Sequence, residues 1–480
     1  MRINSILLIK PPITLRRNFK GIGRIYPPIG LGYLAAILEG AGYVVDILDA
    51  SLEKWRKINT REDGIKYLGM DWKDIQSFVE KKQPDVVGLS VLSVDAFNAS
   101  KTAEAIKKAN ENTIVIAGGP HVCVRPDSLS NVDVSIKGEG ESVILKLMRD
   151  LKKNKRINNI QAKPVMNLDS IPFPAWHLMD LEKYFRAAKF LQGSRSIPGK
   201  GMSIITSRGC PYNCVFCSIR LSHGSVFRVR SPENVVEEMR MLIDSYGVEF
   251  ISIEDDNFTL EPNRMKRICD LMIKNKLNIT FDTPNGVRAD TLSEKLLIKM
   301  QQAGCSGIII APESGSQHVV DDIIGKNLDL KRVEYVVKTC RKIRMFCGCF
   351  FVIGFPGETI TDMTMTVVFA ERMRSLDAMP FCFIATPYYG TRLYNISKKY
   401  GHMQEQDGSA FEYKLLNMDP MIETEDFTKQ DLLYYRSLIR SEPETTEIIN
   451  LLKKRPMDTL RCFSTHPALI TKYIARRMLT

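Results

Sequence analysis

Nothing in the 480 residues is apolar for long enough to cross a bilayer. The longest strongly apolar run, Cys347 to Phe355, contains glycine and falls far short of the roughly 20 residues that a spanning helix needs. The opening stretch, Met1 to Pro12, has a basic Arg2 and a short apolar run. It lacks the longer apolar core and small-residue cleavage site of a secretory leader, so it reads as a first strand and the chain as cytoplasmic. No nucleic-acid-binding motif is present, which leaves the net charge of +12 to a basic solvated surface. No nearby cysteine or histidine at conventional spacing completes a four-ligand zinc site around the one dense cysteine group.

What is present is an ordinary globular composition, 44% hydrophobic and 25% charged, in a chain too long for a single core. The first 150 residues alternate strand and helix. Candidate strands are Ser5–Ile9, Tyr43–Leu48, Val86–Val91, Thr113–Ala117 and Val132–Ile136, with helices over Pro28–Gly40, Trp72–Lys82 and Ala96–Asn110 between them. Short apolar strands alternating with helices predict a doubly wound parallel sheet, which binds ligands at the carboxyl ends of its strands. Ser90, Ser93, Gly118 and Gly119 stand at those ends.

Residues 151–200 read as a linker, because Ile171-Pro172-Phe173-Pro174 cannot continue a helix or a central strand. A second series fills 201–400. Its strands are Met202–Thr206, Phe250–Glu254, Ile279–Asp282, Gly307–Ala311, Cys347–Ile353 and Phe381–Thr386, separated by five helices. Six strands and five helices predict a partial α/β barrel. Residues 401–480 read as mainly helical.

The chemistry centres on Cys210-Pro211-Tyr212-Asn213-Cys214-Val215-Phe216-Cys217, a CxxxCxxC loop directly after the first strand of the second series. Of the 11 cysteines only these three are clustered; Cys347 and Cys349 lie in an apolar run and read as strand core. Thiolates suit iron–sulfur clusters and zinc. Three of them on a four-iron cluster leave one iron open to a substrate or cofactor. His223, six residues beyond Cys217, is the nearest candidate for a fourth ligand.

With aromatic Phe216 before its last cysteine, this motif resembles the CxxxCxΦC of radical S-adenosylmethionine enzymes. The resemblance implies a [4Fe–4S] cluster on Cys210, Cys214 and Cys217, and S-adenosylmethionine bound at the open iron and cleaved to a 5′-deoxyadenosyl radical. It also implies a partial (β/α)6 TIM-type barrel and an electron donor such as flavodoxin or ferredoxin. Other strand-end segments fall where that family contacts the cofactor, which is also where α/β barrels place their sites. They are Glu254 and Asp256 after the second strand, Arg288 after the third, Glu313 and Ser314 after the fourth, and Gly354 and Gly357 after the fifth.

The N-terminal segments Tyr26–Leu34, Gly118-Gly119-Pro120-His121 and Gly138-Glu139-Gly140-Glu141 resemble the cobalamin-binding domain fused to one subclass of that family. The resemblance covers about the first 390 residues. It implies a Rossmann-like cobalamin domain over 1–150 with Ser90, Ser93, Gly118, Gly119 and Glu139 at the cofactor. The DxHxxG motif that supplies a histidine to cobalt is missing; the first loop reads Lys10-Pro11-Pro12-Ile13-Thr14. His121 reads as a packing histidine. A degenerate domain without cofactor is the alternative.

Three activities fit these motifs. The first is cobalamin-dependent methylation of an unactivated carbon in a small-molecule or lipid-like substrate. The second is ring or carbon–carbon bond formation of the magnesium-protoporphyrin monomethyl ester cyclase type. The third is a non-catalytic sensor. A methylthiotransferase would need a second cluster, for which no second triad exists. Leu451 to Thr480 mixes basic and apolar residues, as either a helix packed on the barrel or a peripheral membrane contact.

Overall fold

Two six-stranded parallel sheets follow one another along the chain in a computed structural model that describes residues 3–17, 26–191, 199–403 and 408–440. In the first sheet, β1 (Ser5–Lys10), β2 (Val44–Asp49), β3 (Val86–Ser90), β4 (Ile114–Gly118), β5 (Val134–Lys137) and β6 (Asn159–Gln161) lie in the order β2-β1-β3-β4-β5-β6. Alternate residues of the central strands enter separate cores. Leu7, Ile9, Val87, Leu89, Val115 and Ala117 pack on one face, and Ile6, Leu8, Val86, Ile116, Val134 and Ile136 on the other. Burial on both faces is why these strands read as continuous apolar runs. The strand order reverses between β1 and β3, which opens a crevice at their carboxyl ends.

The segment expected to be a linker is structured. It contributes edge strand β6 and the helix Leu181–Leu191. β6 escapes sequence reading because all three of its residues are polar or only partly buried. The Pro172–Pro174 stretch makes no regular element. Instead the Ala175 amide donates to the Gly32 carbonyl at 3.0 Å. A Cβ on Gly32 would stand 2.7 Å from the Pro174 side chain, so the first helix, Ile29–Gly40, needs glycine at this contact.

The second sheet runs in chain order: β7 (Gly201–Ile204), β8 (Phe250–Ile253), β9 (Thr280–Val287), β10 (Cys305–Glu313), β11 (Phe346–Ile353) and β12 (Met379–Ile384). Every neighbouring pair is parallel. Five helices return the chain: Pro232–Tyr246, Pro262–Lys274, Glu294–Gln302, Leu330–Lys342 and Ile360–Ser375. The first illustrates how sequence sets the ends. Ser231 Oγ accepts from the Asn234 amide, Pro232 occupies the first turn, and Gly247 closes the helix with φ +65°. Cys347 and Cys349 are buried in the barrel core, as their apolar setting predicts.

Beyond the barrel, Lys429–Ile439 packs on it, with Leu432 against Gly354. Ser409–Asn417 instead meets the first domain, where the Phe97 amide donates to Glu412 Oε2 at 3.3 Å. No helix among the described residues is long and apolar enough to cross a membrane. The basic segment 451–480, and with it the membrane-contact idea, lies outside the described residues.

Candidate functional site

The cysteine loop leaves the end of β7 through a short strand, Ser207–Arg208, paired antiparallel with Arg228–Val229. Gly209 then turns at φ +83°, where a Cβ would lie 2.3 Å from the Val226 carbonyl oxygen; only glycine fits. The loop is pinned by two outside bonds and one of its own. The Val215 amide donates to the Ile324 carbonyl at 2.9 Å, the Leu393 amide to the Val215 carbonyl at 2.9 Å, and the Cys217 amide to the Cys214 carbonyl at 3.1 Å. Phe216 packs on Phe355 with ring centroids 5.7 Å apart.

Cys210, Cys214 and Cys217 are partly exposed free thiols, close enough to feel one another's charge. Burial raises all three, Cys217 to about 12. Thiolate ligation here therefore needs the positive charge of bound iron. No three His, Cys, Asp or Glu among the described residues converge as ligands of one ion. The donor set is soft and all-sulfur, one loop supplies it, and it fits a cluster.

The other strand-end residues surround this loop. Glu254 accepts from Ser252 Oγ at 2.8 Å and from Asn285 Nδ2 at 3.1 Å. Asp256 takes the Gly209 amide at 3.0 Å and faces His223 Nδ1 at 3.1 Å. Arg288 is bound to Asp290 and to the carbonyls of Lys326 and Asn327, and its guanidinium covers the Tyr212 ring at 3.8 Å. Glu313 holds φ +68° and accepts from Lys326 Nζ at 2.6 Å, a buried pair beside Cys214. Ser314 Oγ bonds Thr366 Oγ1 at 2.9 Å. Gly354 and Gly357 turn at φ +97° and +91°. The buried carboxyl of Glu358 caps the first turn by accepting from the Gly354 and Phe355 amides at 2.6 and 3.1 Å.

Above the crevice of the first domain lies a cavity of about 220 Å³ that runs down along the sheet to Leu8 and Gly88. Ser90, Gly118, Gly119 and Glu139 line it. Glycines shape its walls. Gly30 has nothing within 4 Å of a would-be Cβ, and at Gly118 the nearest atom is 3.9 Å away. Gly119 and Gly138 turn at φ +102° and +96° against the backbones of Val91 and Ala162. A glycine-walled slot entering the domain fits the nucleotide tail of cobalamin. Ser93 lines an adjoining cavity of about 210 Å³ with Leu92, Leu221, Tyr388 and Tyr389.

His121 is buried with Nδ1 at 3.1 Å from Ser93 Oγ and Nε2 at 2.8 Å from Ser128 Oγ. Burial first, then the Arg125 charge, lowers it to about 4. Both ring nitrogens are taken, so it packs rather than ligates.

Residues that sequence reading missed join the two domains. Arg228 clasps Glu139 through two bonds of 2.8 and 2.6 Å, and Arg208 donates to Glu141 at 2.7 Å. Arg208, Glu139, Glu141 and Tyr33 all border the first cavity, together with His223. No local motif marks these pairs, since the partners are 67 and 89 positions apart. A three-thiol loop on a parallel barrel and a glycine-walled slot on a doubly wound sheet thus meet at one seam.

That combination defines an iron–sulfur enzyme with a fused cobalamin domain. The radical SAM superfamily pattern matches residues 204–370, and the B12 binding domain pattern matches residues 19–147. The chain is 30% identical over 455 residues to an uncharacterized methyltransferase of Pyrococcus horikoshii, spanning 90% of each. It is 30% identical over 440 residues to the cytidylyl-2-hydroxyethylphosphonate methyltransferase of Streptomyces wedmorensis, spanning 82% of this chain and 81% of that one. The fold is similar to that of the radical S-adenosylmethionine methyltransferase TsrM of Kitasatospora setae, with TM-score 0.64 at 18% identity, covering 84% of this chain and 78% of that one. The chain belongs to the radical S-adenosylmethionine enzymes, in the branch that carries a cobalamin-binding domain. Its cofactors are a [4Fe–4S] cluster, S-adenosylmethionine and cobalamin.

Proposed function

We propose that this enzyme methylates an unactivated carbon of a small molecule. The observation that carries the reading is the seam itself: residues of the cobalamin slot and of the cysteine loop's own flank, Glu139 and Arg228, are bonded to one another. Two one-carbon and radical cofactors held at one interface suit transfer between them. When bound, the cluster and S-adenosylmethionine supply a carbon-centred radical and cobalamin supplies the methyl group. The relatives named as methyltransferases, at 30% identity over most of the chain, support the same reading.

The residues divide the work as follows. Cys210, Cys214 and Cys217 hold the cluster. Glu254, half-buried at the end of β8, and the Glu313–Lys326 pair beside Cys214 are placed to meet the amino acid end of S-adenosylmethionine. Gly354 and Gly357 let the backbone approach the nucleoside, with Ser314 holding the neighbouring turn through Thr366. Arg288 and Asp256 act as supports, fixing Tyr212 and Gly209 on either side of Cys210. In the slot, Ser90, Gly118 and Gly119 line the tail, Ser93 the adjoining cavity, and Glu139 secures the wall. A low-potential donor of the flavodoxin or ferredoxin class supplies the electron.

The test is anaerobic reconstitution with iron, sulfide and cobalamin, followed by turnover with S-adenosylmethionine. Single Cys210→Ala, Cys214→Ala and Cys217→Ala variants should each lose bound iron and 5′-deoxyadenosine formation together. Normal cleavage in any of them would remove the cluster assignment. A product heavier by one methyl group, with S-adenosylhomocysteine released, supports methylation; a ring closed without methyl gain supports the cyclase activity instead.

A further inference from the structure

We propose that His223, oriented by Asp256, is a positioning residue that contacts cobalamin and couples its seat to the cysteine loop. This rests on the cobalamin reading above. His223 caps the short helix Ile219–Ser222 that follows the cluster motif, and it borders the first cavity. A chain of bonds runs through it. Its Nδ1 lies 3.1 Å from Asp256 Oδ2, and that same oxygen accepts the amide of Gly209, the residue before Cys210, at 3.0 Å. Its own carbonyl accepts from Arg228 Nη2 at 2.7 Å, and Arg228 is the residue that clasps Glu139 of the cobalamin domain.

The chemistry follows from the tautomer. A carboxylate only accepts, so in the neutral imidazole Nδ1 carries the proton and Nε2 is left as an acceptor. Nε2 has no hydrogen-bond partner among the described residues. Cobalamin presents a rim of primary carboxamides, whose N–H groups are donors suited to that nitrogen. A movement of the rim would then reach Gly209 through one imidazole and one carboxylate. This is the arrangement by which a carboxylate fixes a histidine for its ligand in many sites.

The experiment uses the full-length enzyme with its cluster reconstituted, titrated with hydroxocobalamin under anaerobic conditions. Dissociation constants come from absorbance, and the reduced cluster is followed by electron paramagnetic resonance before and after cobalamin addition. His223→Phe should keep wild-type iron content while weakening cobalamin about tenfold, the effect of losing one such bond. The cobalamin-induced change in the cluster signal should vanish with it. His223→Gln, which keeps an acceptor, should recover most of the affinity. Asp256→Asn should weaken binding as His223→Phe does, because an amide no longer dictates the tautomer. Wild-type affinity and a wild-type cluster response in His223→Phe would overturn the proposal. So would loss of iron from His223→Phe with no recovery in His223→Gln, which would mean a role in folding the loop alone. If the wild-type protein itself takes up no cobalamin, the cobalamin reading fails, an outcome distinct from equal binding by wild type and variant.

Discussion

Single residues carry the site more through the backbone than through side-chain chemistry. Gly209 is the clearest case. It combines a left-handed φ of +83° with a would-be Cβ 2.3 Å from a carbonyl oxygen. Gly42 has the same φ, +85°, yet nothing within 4 Å. Gly42→Ala should therefore cost only the conformational penalty, about 1 kcal/mol. Gly209→Ala should add a clash with immobile backbone, lowering the melting temperature further and cutting iron retention in the Cys210 loop. Thermal unfolding and iron analysis of the two variants test this; equal melting temperatures and full iron in both would refute it. The cysteines and strand-end glycines were legible in sequence because their spacing and position are local. Arg208 and Arg228 were not, and His223 was legible only as a candidate ligand rather than as the partner of Asp256, because each acquires its meaning from a residue brought near only by the fold.

Elements repeat the lesson at larger range. The strands and helices of both series stand within a few residues of where apolar runs, caps and glycine stops put them, as with Trp72–Lys82 between its Asp71 capping box and left-handed Gln83. What could not be read was any element defined by a tertiary contact. Strand β6 is too polar to announce itself, and helix Ser409–Asn417 docks through Phe411 and Leu415, which pack with Val94 and Val124, and through the buried carboxyl of Glu412. That carboxyl is raised by burial to about 7, against the bond from the Phe97 amide and the charges of Arg61 and Arg125, which pull it down. Burial likewise raises Asp95, on the first domain, to about 6. A carboxyl whose folded value exceeds its unfolded value binds protons more tightly when docked. Docking is therefore strongest at low pH and weakens as pH climbs from about 4.5 to about 7, by up to about 1.4 kcal/mol per unit. Hydrogen-exchange protection over 409–417, corrected for intrinsic rates, should fall across that window in the wild type. In Glu412→Gln the fall should shrink, leaving only the part due to Asp95 below about pH 6. An unchanged pH profile in the variant would contradict the assignment.

At the scale of the whole molecule, the question is what keeps a cobalamin domain and a barrel in register while substrate and cofactors come and go. Apolar packing contributes, because Ile29, Tyr33 and Leu52 share a core with the barrel, and four charges at the seam add to it. Glu139 and Arg228 are buried to 5% and 3% exposure, and Arg208 to 6%. Charges withdrawn so far from water must be matched, and removing one partner of such a pair costs about 3–5 kcal/mol, because the other is left uncompensated. Glu139→Ala would strand Arg228 with only the carbonyls of Val165 and His223 as acceptors, and Arg208 with Glu141 alone. The strain falls on the interface rather than on either core, since no apolar core residue is altered by the change. Calorimetry should then show one unfolding transition for the wild type and two for Glu139→Ala, with the cobalamin domain melting first. Adding Arg228→Met to Glu139→Ala should recover part of the loss, since a volume-matched apolar side chain leaves no orphan charge. Cobalamin should weaken in the single variant for the same reason, because the wall of its slot is built from both sides of the seam. A single transition at the wild-type temperature in Glu139→Ala would show that the domains are held together elsewhere, and the pairing of the two cofactor sites would then need a different physical basis.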